Sequence, residues 1–271
     1  MKTLLCTIVK NENLYLQEFI DHYKELGVSH IILYDNNDID GEEINIKDKK
    51  VSIVNVRGKH VYQLPVYNQC YEEYKSKYDW ILFFDCDEFL YLDYRFRTID
   101  KYLSDPMFDR FDCIKINWKV FGDNNIEQIV NNNYSVKRFK TPVSPDNFIV
   151  TGMSFPQNYH IKSIVRCKEN LNIDWKNPHC PFGINYLCDN KGKPTGNTPF
   201  EIPDYTYAVI AHYHTKTINE YIKKIDRGYA DIQRIYNKED LRNILYLFFD
   251  YNKKTNYKVN QIEEYLKNKI L

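Results

Sequence analysis

The hydrophobic pattern of the first part of the chain predicts a strand, a helix and a second strand. A short apolar run over residues 4–9 indicates the first strand, and the apolar residues between Leu16 and Leu26 recur at helical spacing. Gly27 then provides a helix stop, and Ile31–Tyr34 is a second apolar run. This order of elements is typical of the start of a parallel α/β sheet.

Another strand, helix and strand follow this unit. Residues 51–56 and Trp80–Phe84 are predicted strands, and residues 62–78 between them have the apolar spacing of a helix. Trp80–Phe84 is apolar at every position, which is typical of a strand buried on both faces. Beyond it we expect strands at residues 112–121, 160–167 and 206–214, irregular segments at 140–160 and 176–204, and a helix that starts with the capping box Thr217-Ile-Asn-Glu220.

The last residues of the chain differ from the rest in their pattern. They are helical in spacing and rich in lysine, so we divide the chain into a domain over residues 1–236 and a C-terminal helical appendage over residues 237–271. The apolar run Leu245–Phe249 among lysines suits contact with an anionic lipid surface. We expect the appendage to serve acceptor presentation, a peripheral membrane contact or a homodimer. Packing of its aromatic residues on the domain is the alternative.

Composition and charge exclude several classes of protein. The 37 basic and 37 acidic residues balance, so no net field gathers nucleic acid, and we expect no nucleic-acid partner. Seven cysteines without a C-x-x-C pair disfavour a disulfide framework and a zinc ribbon. No cleavage site follows the first apolar run, and no run approaches the roughly 20 residues of a membrane span. We expect a cytoplasmic protein, in peripheral contact with the inner face of the membrane.

The candidate chemistry lies in Asp85-Cys-Asp-Glu88, directly after the apolar strand Trp80–Phe84. Carboxylates at the carboxyl end of such a strand point into the crevice where open α/β sheets bind ligands. They suit a divalent cation that stabilises a departing diphosphate, the leaving group of a nucleotide sugar. A D-x-D pair alone is weak evidence, because Asp38 and Asp40 form another one. A solvated acidic turn is the alternative interpretation.

A histidine pair near the end of the domain offers a further metal ligand. His212 and His214 follow the predicted strand at residues 206–214, and either imidazole could complete the coordination of the ion. A nitrogen ligand favours Mn²⁺ over Mg²⁺. We expect His212 alone to reach the metal, with His214 on the opposite face of the strand. A histidine packed in the core is the alternative.

With these residues the chain resembles glycosyltransferase family 92 and its bacterial relatives, which are close to family 2 and have a GT-A fold. The resemblance extends over about residues 3–230. It rests on Val9-Lys-Asn-Glu12, His22-Tyr23, Leu26-Gly-Val28, Tyr34-Asp-Asn36, Trp80 through Phe89, Trp118-Lys-Val-Phe-Gly122, His160 through Val165, His212-Tyr213 with Lys216, and Tyr221 with Lys224 through Gly228. It implies an α/β fold of the GT-A type, in which helices flank a mostly parallel central sheet with a nucleotide-sugar-binding half and an acceptor half.

The resemblance also implies roles for individual residues. It places Thr7, Lys10, Asn11 and Glu12 beside the nucleoside, Asp35 at the base or ribose, Asp85 and Asp87 with His212 at the metal and the donor, and Lys162 and Lys216 at the diphosphate. Asp123 follows the strand at residues 112–121 and is the candidate general base, because that strand end should open on the acceptor side of the crevice. His179 and Asp189 are the alternative candidates for this role.

These observations together predict a metal-dependent hexosyltransferase. We expect it to use Mn²⁺ or Mg²⁺ and to move a sugar from a UDP-sugar to a carbohydrate or lipid-linked oligosaccharide acceptor, in surface polysaccharide or glycoconjugate synthesis. The resemblance suggests galactose as the sugar and inversion of its configuration. The alternative is a catalytically silent module of the same fold that binds a nucleotide sugar or a carbohydrate. A sugar nucleotidyltransferase is disfavoured, because no glycine precedes Gly27 to form a phosphate loop.

Overall fold

The computed structural model describes residues 1–126, 136–139 and 157–228, together with Phe248 and Asn252. Within these residues, ten strands form one sheet, and four α-helices accompany it. The strands are β1 (Thr3–Val9), β2 (His30–Asp35), β3 (Val51–Asn55), β4 (Trp80–Phe83), β5 (Glu88–Leu92), β6 (Cys113–Val120), β7 (Ile161–Arg166), β8 (Leu187–Cys188), β9 (Pro194–Thr195) and β10 (Ala208–His212), and the helices are α1 (Asn13–Glu25), α2 (Gln63–Tyr74), α3 (Ile99–Leu103) and α4 (Ile218–Asp226).

The sheet is parallel in its first half and mixed in its second half. Its main path runs β3-β2-β1-β4-β7-β6-β10-β5, with β8 and β9 attached beside β6. The first four strands of this path are parallel to one another. Beyond them, β7 is antiparallel to β4 and β6, and β5 is antiparallel to β10. The predicted α/β sheet flanked by helices is confirmed, and four of the seven strand pairings along its main path are parallel.

The two faces of the central strands belong to two separate cores. Side chains alternate along a strand, so Leu5 and Leu82 pack with Phe19 of α1, whereas Cys6 and Phe83 pack on the other face, in the core that contains α2. This arrangement explains why β4 is apolar at every position, since neither of its faces meets water. Helix α1 ends as predicted, because Gly27 adopts the positive φ of 91° that follows the last turn.

The ends of the strands bring the candidate residues together. Because β1 and β4 are parallel neighbours, the segments that follow both strands emerge at the same edge of the sheet. Strand β10 is parallel to β6 and antiparallel to β5, and its register sets His212 opposite Glu88. The amide of Tyr213 donates to the carbonyl of Asp87 at 2.9 Å. The antiparallel strand β5, which the sequence pattern did not predict, therefore joins the histidine segment to the acidic turn.

Helix α4 begins with the predicted capping box. The hydroxyl of Thr217 accepts from the amide of Glu220, and the carboxylate of Glu220 accepts from the amide of Thr217. None of the helices described is long and apolar enough to cross a membrane. Apart from Phe248 and Asn252, the predicted appendage at residues 237–271 lies outside the described residues, as does most of the predicted loop at 140–160.

Candidate active site

A cavity of about 210 Å³ lies where β1, β4 and β10 end. Its wall combines acidic, basic and aromatic side chains from segments far apart in the chain. A second cavity, of about 560 Å³, lies beside it at the start of α1 and along α4. Both cavities are lined by Glu12, Lys224 and Arg227. The first is lined in addition by Ile8, Lys10, Gln63, Asp85, Cys86, Asp87, Trp118, Pro178, His179, His212, His214 and Gly228.

Asp85 is held by three side chains at once. Nζ of Lys162 lies 2.9 Å from Oδ2 of Asp85. The other carboxylate oxygen, Oδ1, accepts from Nε2 of Gln63 at 2.7 Å and from the hydroxyl of Tyr67 at 3.1 Å. These contacts fix the orientation of the carboxylate, because each of its oxygens has a donor.

Glu88 lies beneath Asp85 and supports its backbone. Oε2 of Glu88 accepts from the amide of Asp85 at 3.0 Å and lies 3.7 Å from Nζ of Lys162. The side chain is fully buried, and burial raises the pKa of Glu88 well above its ordinary value, although Lys162 opposes the shift. Glu88 therefore acts on the shape of the acidic turn rather than as a group that faces the cavity.

Asp87 pairs with a lysine from α4 and with a histidine from β10. Its Oδ2 lies 2.7 Å from Nζ of Lys224, and its Oδ1 lies 3.5 Å from Nε2 of His212. Burial alone would raise the pKa of Asp87, but Lys224 and His212 hold that pKa well below its ordinary value. Asp87 is therefore a carboxylate anion at neutral pH.

Glu12 is the third acid that lines the first cavity and has two cationic partners. Nζ of Lys216 lies 2.8 Å from one of its oxygens, and the guanidinium of Arg227 lies 2.9 Å from the other. Arg227 also donates to the carbonyl of Lys10. Burial opposes ionisation, yet Lys216 and Arg227 keep the pKa of Glu12 below its ordinary value. These pairs attach α4 and the segment before it to the end of β1.

Aromatic rings form the remaining wall of the first cavity. The indole of Trp118 packs against His212 with ring centroids 4.2 Å apart, and it also contacts His160 and His179 at 5.0 and 5.1 Å. Trp118 lies on β6 next to β10, so the sheet itself holds the indole against the His212 ring. Trp118 thus restricts the orientation of the imidazole that faces Asp87.

The site does not contain a complete metal cage made of protein side chains. Among the described residues, no group of three or more His, Cys, Asp or Glu side chains could hold a metal ion. Asp87 and His212 do form a pair of suitable ligands, and Nδ1 of His212 is buried without a hydrogen-bond partner among the residues that the structure describes. Ions such as Mg²⁺ are commonly held by one or two carboxylates together with substrate phosphates. The pair therefore fits an ion that is shared with a diphosphate.

The residues predicted for the site fall into three groups. Lys10, Glu12, Asp85, Asp87 and His212 line the first cavity, and Asn11, Glu12 and Lys216 line the second. Thr7, Asp35, Lys162 and Asp123 line neither cavity. The hydroxyl of Thr7 donates to the carbonyl of Phe84, Asp35 accepts from the amide of Asn37, and Lys162 lies fully buried behind Asp85. These contacts place the three side chains in the supporting structure of the site, and their roles toward a donor stay predictions.

Asp123, the predicted general base, is buried within the turn that follows β6. Its carboxylate accepts from the amide of Asn125 at 3.0 Å, which is the usual backbone-capping contact of an aspartate in a turn. Its own amide donates to the side chain of Asn252 at 2.6 Å. Asp189 likewise caps a turn, through the amides of Lys191 and Lys193. Of the three candidates only His179 lines a cavity described here.

The prediction that His214 faces away from His212 is wrong. Strand β10 ends at His212, and the two imidazole centroids lie 5.1 Å apart. Residues two apart in a strand share a face, so the alternation of a strand would itself place the two rings on one side. His214 lies against the ammonium of Lys224, with Nδ1 3.4 Å from Nζ. Both histidines therefore line the same cavity.

Gln63, Lys224 and Arg227 are site residues to which the sequence pattern gave no role. Lys224 and Arg227 are three positions apart on the face of α4 that turns toward the cavities. Basic residues on the inward face of an amphipathic helix are a usable signal, because buried cations need anionic partners. Gln63 gave no such signal, since a neutral amide at the start of a helix is common.

Comparisons with known proteins bear on the family of the chain. The model of glycosyltransferase family 92 matches residues 5–225. Curated family 92 proteins of Arabidopsis thaliana and Ricinus communis are 34% and 33% identical over 92 and 97 residues. Each match covers 32% of this chain and 16% of the relative, so the chain spans a small part of these relatives. The solved galactosyltransferase LgtC, in complex with donor and acceptor sugar analogs, is 10% identical with a TM-score of 0.31, over 78% of this chain and 86% of that chain. Because the family model matches most of its length, the chain belongs to glycosyltransferase family 92.

Proposed function

We propose that this chain transfers a sugar from a nucleoside diphosphate donor, UDP in the first instance, to a carbohydrate acceptor. The observation that carries the proposal is the ionic cluster at the joint wall of the two cavities. Asp87 and Glu12 meet Lys224 and Arg227 there, at the ends of β1 and β4. Ligands of open α/β sheets bind at this edge, and membership of family 92 supports sugar transfer as the reaction.

The chemistry of the leaving group accounts for this combination of charges. A departing nucleoside diphosphate gains negative charge, and preorganised cations in a site that excludes water stabilise it. A divalent ion, Mn²⁺ or Mg²⁺, would be held by Asp87 and His212 and would supply Lewis-acid stabilisation of the diphosphate. Trp118 and Asp87 keep His212 in place for that role. Asp85 belongs to the same acidic turn, and its contacts with Lys162 and Gln63 hold that turn in a fixed position.

His179 replaces Asp123 as the proposed general base of an inverting transfer. Nδ1 of His179 lies 2.9 Å from the carbonyl oxygen of Ile161, so this nitrogen carries the ring proton and the lone pair is on Nε2. Burial, reinforced by Lys162, lowers the pKa of His179 well below 6.5. The ring is therefore neutral at neutral pH and can accept the proton of an acceptor hydroxyl.

His179→Gln is expected to lower sugar transfer by roughly 100-fold and to leave donor binding unchanged, because the glutamine amide offers no basic nitrogen. Donor affinity is measured by calorimetry and transfer by product formation under saturating donor. His160→Gln is the matched control, since His160 belongs to the same ring stack but does not line the cavity. Equal losses in the two variants would contradict the assignment of the base.

The function itself is tested by a screen of nucleotide sugars with the full chain. UDP-galactose and other UDP-sugars are incubated with Mn²⁺ or with EDTA, and release of UDP is followed with and without a panel of glycan acceptors. We expect release with at least one donor in Mn²⁺, and its acceleration by an acceptor. Donor binding without any release would identify a silent binding module instead. The acceptor class, lipid-linked or free, and contacts made by residues 237–271 remain predictions of the sequence.

A further inference from the structure

The ion pair between Lys224 and Asp87 joins helix α4 to the acidic turn after β4. Nζ of Lys224 lies 2.7 Å from Oδ2 of Asp87, and the lysine side chain is only 16% exposed. The ammonium also contacts His214, at 3.4 Å from Nδ1 and 3.3 Å from the carbonyl oxygen. Lys224 lines both cavities, so its ammonium lies where a ligand that spans them would pass.

This pair sets two cations in competition for one carboxylate. Asp87 is also the carboxylate that, with His212, fits a divalent ion. An ammonium and a divalent ion close to the same carboxylate repel each other strongly in a partly buried site. Lys224 therefore opposes cation binding at Asp87 as long as its ammonium remains there.

The other cations of the cluster are differently placed. Lys162 is paired with Asp85, and Lys216 and Arg227 are paired with Glu12, so each keeps its carboxylate when Asp87 changes partner. Of these four described cations, Lys224 is the one that loses its carboxylate, and therefore needs a new anion, when Asp87 binds the divalent ion. The diphosphate of a donor in the same cavity supplies that negative charge.

We propose that Lys224 is an exchangeable counterion, which leaves Asp87 for the diphosphate of the donor when Asp87 becomes a metal ligand. The proposal rests on the proposed function, because it requires a nucleoside diphosphate in this cavity. It has a thermodynamic consequence. The metal and the nucleoside diphosphate bind cooperatively. The diphosphate draws the ammonium of Lys224 away from the metal, and the metal releases Lys224 from Asp87 to pair with the diphosphate.

The first test replaces Lys224 by methionine, which keeps most of the side-chain volume and removes the charge. With Mn²⁺ alone, calorimetry is expected to show roughly tenfold tighter binding than in the wild type. With UDP alone in EDTA, binding is expected to be roughly tenfold weaker. Lys101→Met is the matched control, because it removes the same charge from an exposed residue of helix α3 that lines neither cavity. It should change neither affinity by more than about twofold.

The second test uses Asp87→Asn and the double variant Asp87→Asn/Lys224→Met. In the single variant Lys224 is no longer held by a carboxylate, so UDP in EDTA should bind at least as tightly as to the wild type. Mn²⁺ should no longer strengthen this binding. In the double variant, UDP binding in EDTA should fall again. Circular dichroism and thermal unfolding establish that each variant is folded before it is titrated.

The outcomes separate this proposal from the proposed function. Unchanged or weaker Mn²⁺ binding by Lys224→Met overturns the exchange, and so does weaker UDP binding by Asp87→Asn in EDTA. Normal UDP binding by the wild type with no loss in Lys224→Met overturns the exchange alone. If the wild type binds no nucleoside diphosphate at all, the proposed function fails together with it.

Discussion

Asp87→Asn is expected to lower sugar transfer by at least about 100-fold and to leave the fold intact. Asparagine has nearly the same shape as aspartate, but its neutral amide binds a divalent ion weakly and cannot compensate the charge of Lys224. The backbone bond from Tyr213 to the carbonyl of residue 87 remains, so the turn keeps its anchor. Transfer is measured with saturating donor and Mn²⁺, and folding is followed by circular dichroism.

Asp40→Asn is the matched control for this experiment. Asp40 belongs to the other D-x-D pair of the chain, and its side chain is exposed. Its replacement should leave transfer within about twofold of the wild type. Near-normal transfer by Asp87→Asn would exclude Asp87 as a ligand of the divalent ion. Full transfer by the wild type in EDTA would instead exclude the divalent ion.

Local patterns were sufficient to predict the first half of the fold. The apolar runs of β1, β2 and β4, the helical spacing of α1 and the stop at Gly27 all depend on neighbouring residues. Strand β5 was missed because Glu88 was taken as the end of an acidic motif. Its place in the sheet depends on pairing with β10, more than a hundred residues later, and no local period reports such pairing.

Site residues in a motif that follows a strand end could be predicted from the sequence. Residues whose place in the site depends on an ion pair with a distant segment could not. Asp85, Asp87 and His212 were found by position, and all three line the cavity. Lys224 reaches Asp87 across 137 positions of the chain. Thr7 and Asp123 were expected at ligands, and the structure adds a backbone contact to each: the hydroxyl of Thr7 donates to the carbonyl of Phe84, and one carboxylate oxygen of Asp123 accepts from the amide of Asn125. The tertiary structure determines which partner a polar side chain meets, and the hydrogen-bonding capacity of the residue does not identify that partner.

The protein is expected to lose roughly 3 to 5 kcal/mol of unfolding free energy between pH 7.5 and pH 5. Burial disfavours the charged imidazolium and lowers the pKa of His22 and of His160 to about 4. The pKa of His179 is lowered well below 6.5 as well, for the same main reason. A loss of this size is a large part of the 5 to 15 kcal/mol that typically stabilises a domain.

The direction of this change in stability depends on whether the folded or the unfolded state binds more protons. In the unfolded chain a histidine has a pKa of about 6.5, so above that pH it is neutral in both states and contributes no difference. Between about pH 6.5 and pH 4 the unfolded chain binds protons that the folded state refuses, and stability falls as pH falls. Glu88 acts in the opposite direction, because its raised pKa lets the folded state take a proton first. It is one group, whereas burial also lowers the pKa of His212 and His214, which add to the effect of the other three histidines, so the net effect remains a loss.

Urea unfolding of His22→Gln at several pH values isolates one of these contributions. The glutamine amide can still donate to the carbonyl of Leu90, which accepts from Nε2 of His22 at 2.8 Å, but it does not titrate. The slope of unfolding free energy against pH, between pH 6 and pH 5, should decrease by about 1 kcal/mol per pH unit. Gln17→Asn is the control, because Gln17 is an exposed, non-titrating residue of the same helix α1 and its replacement should leave the slope unchanged. Equal slopes in the wild type and in His22→Gln would mean that His22 takes up its proton in the folded state, and the acid sensitivity would then need another source.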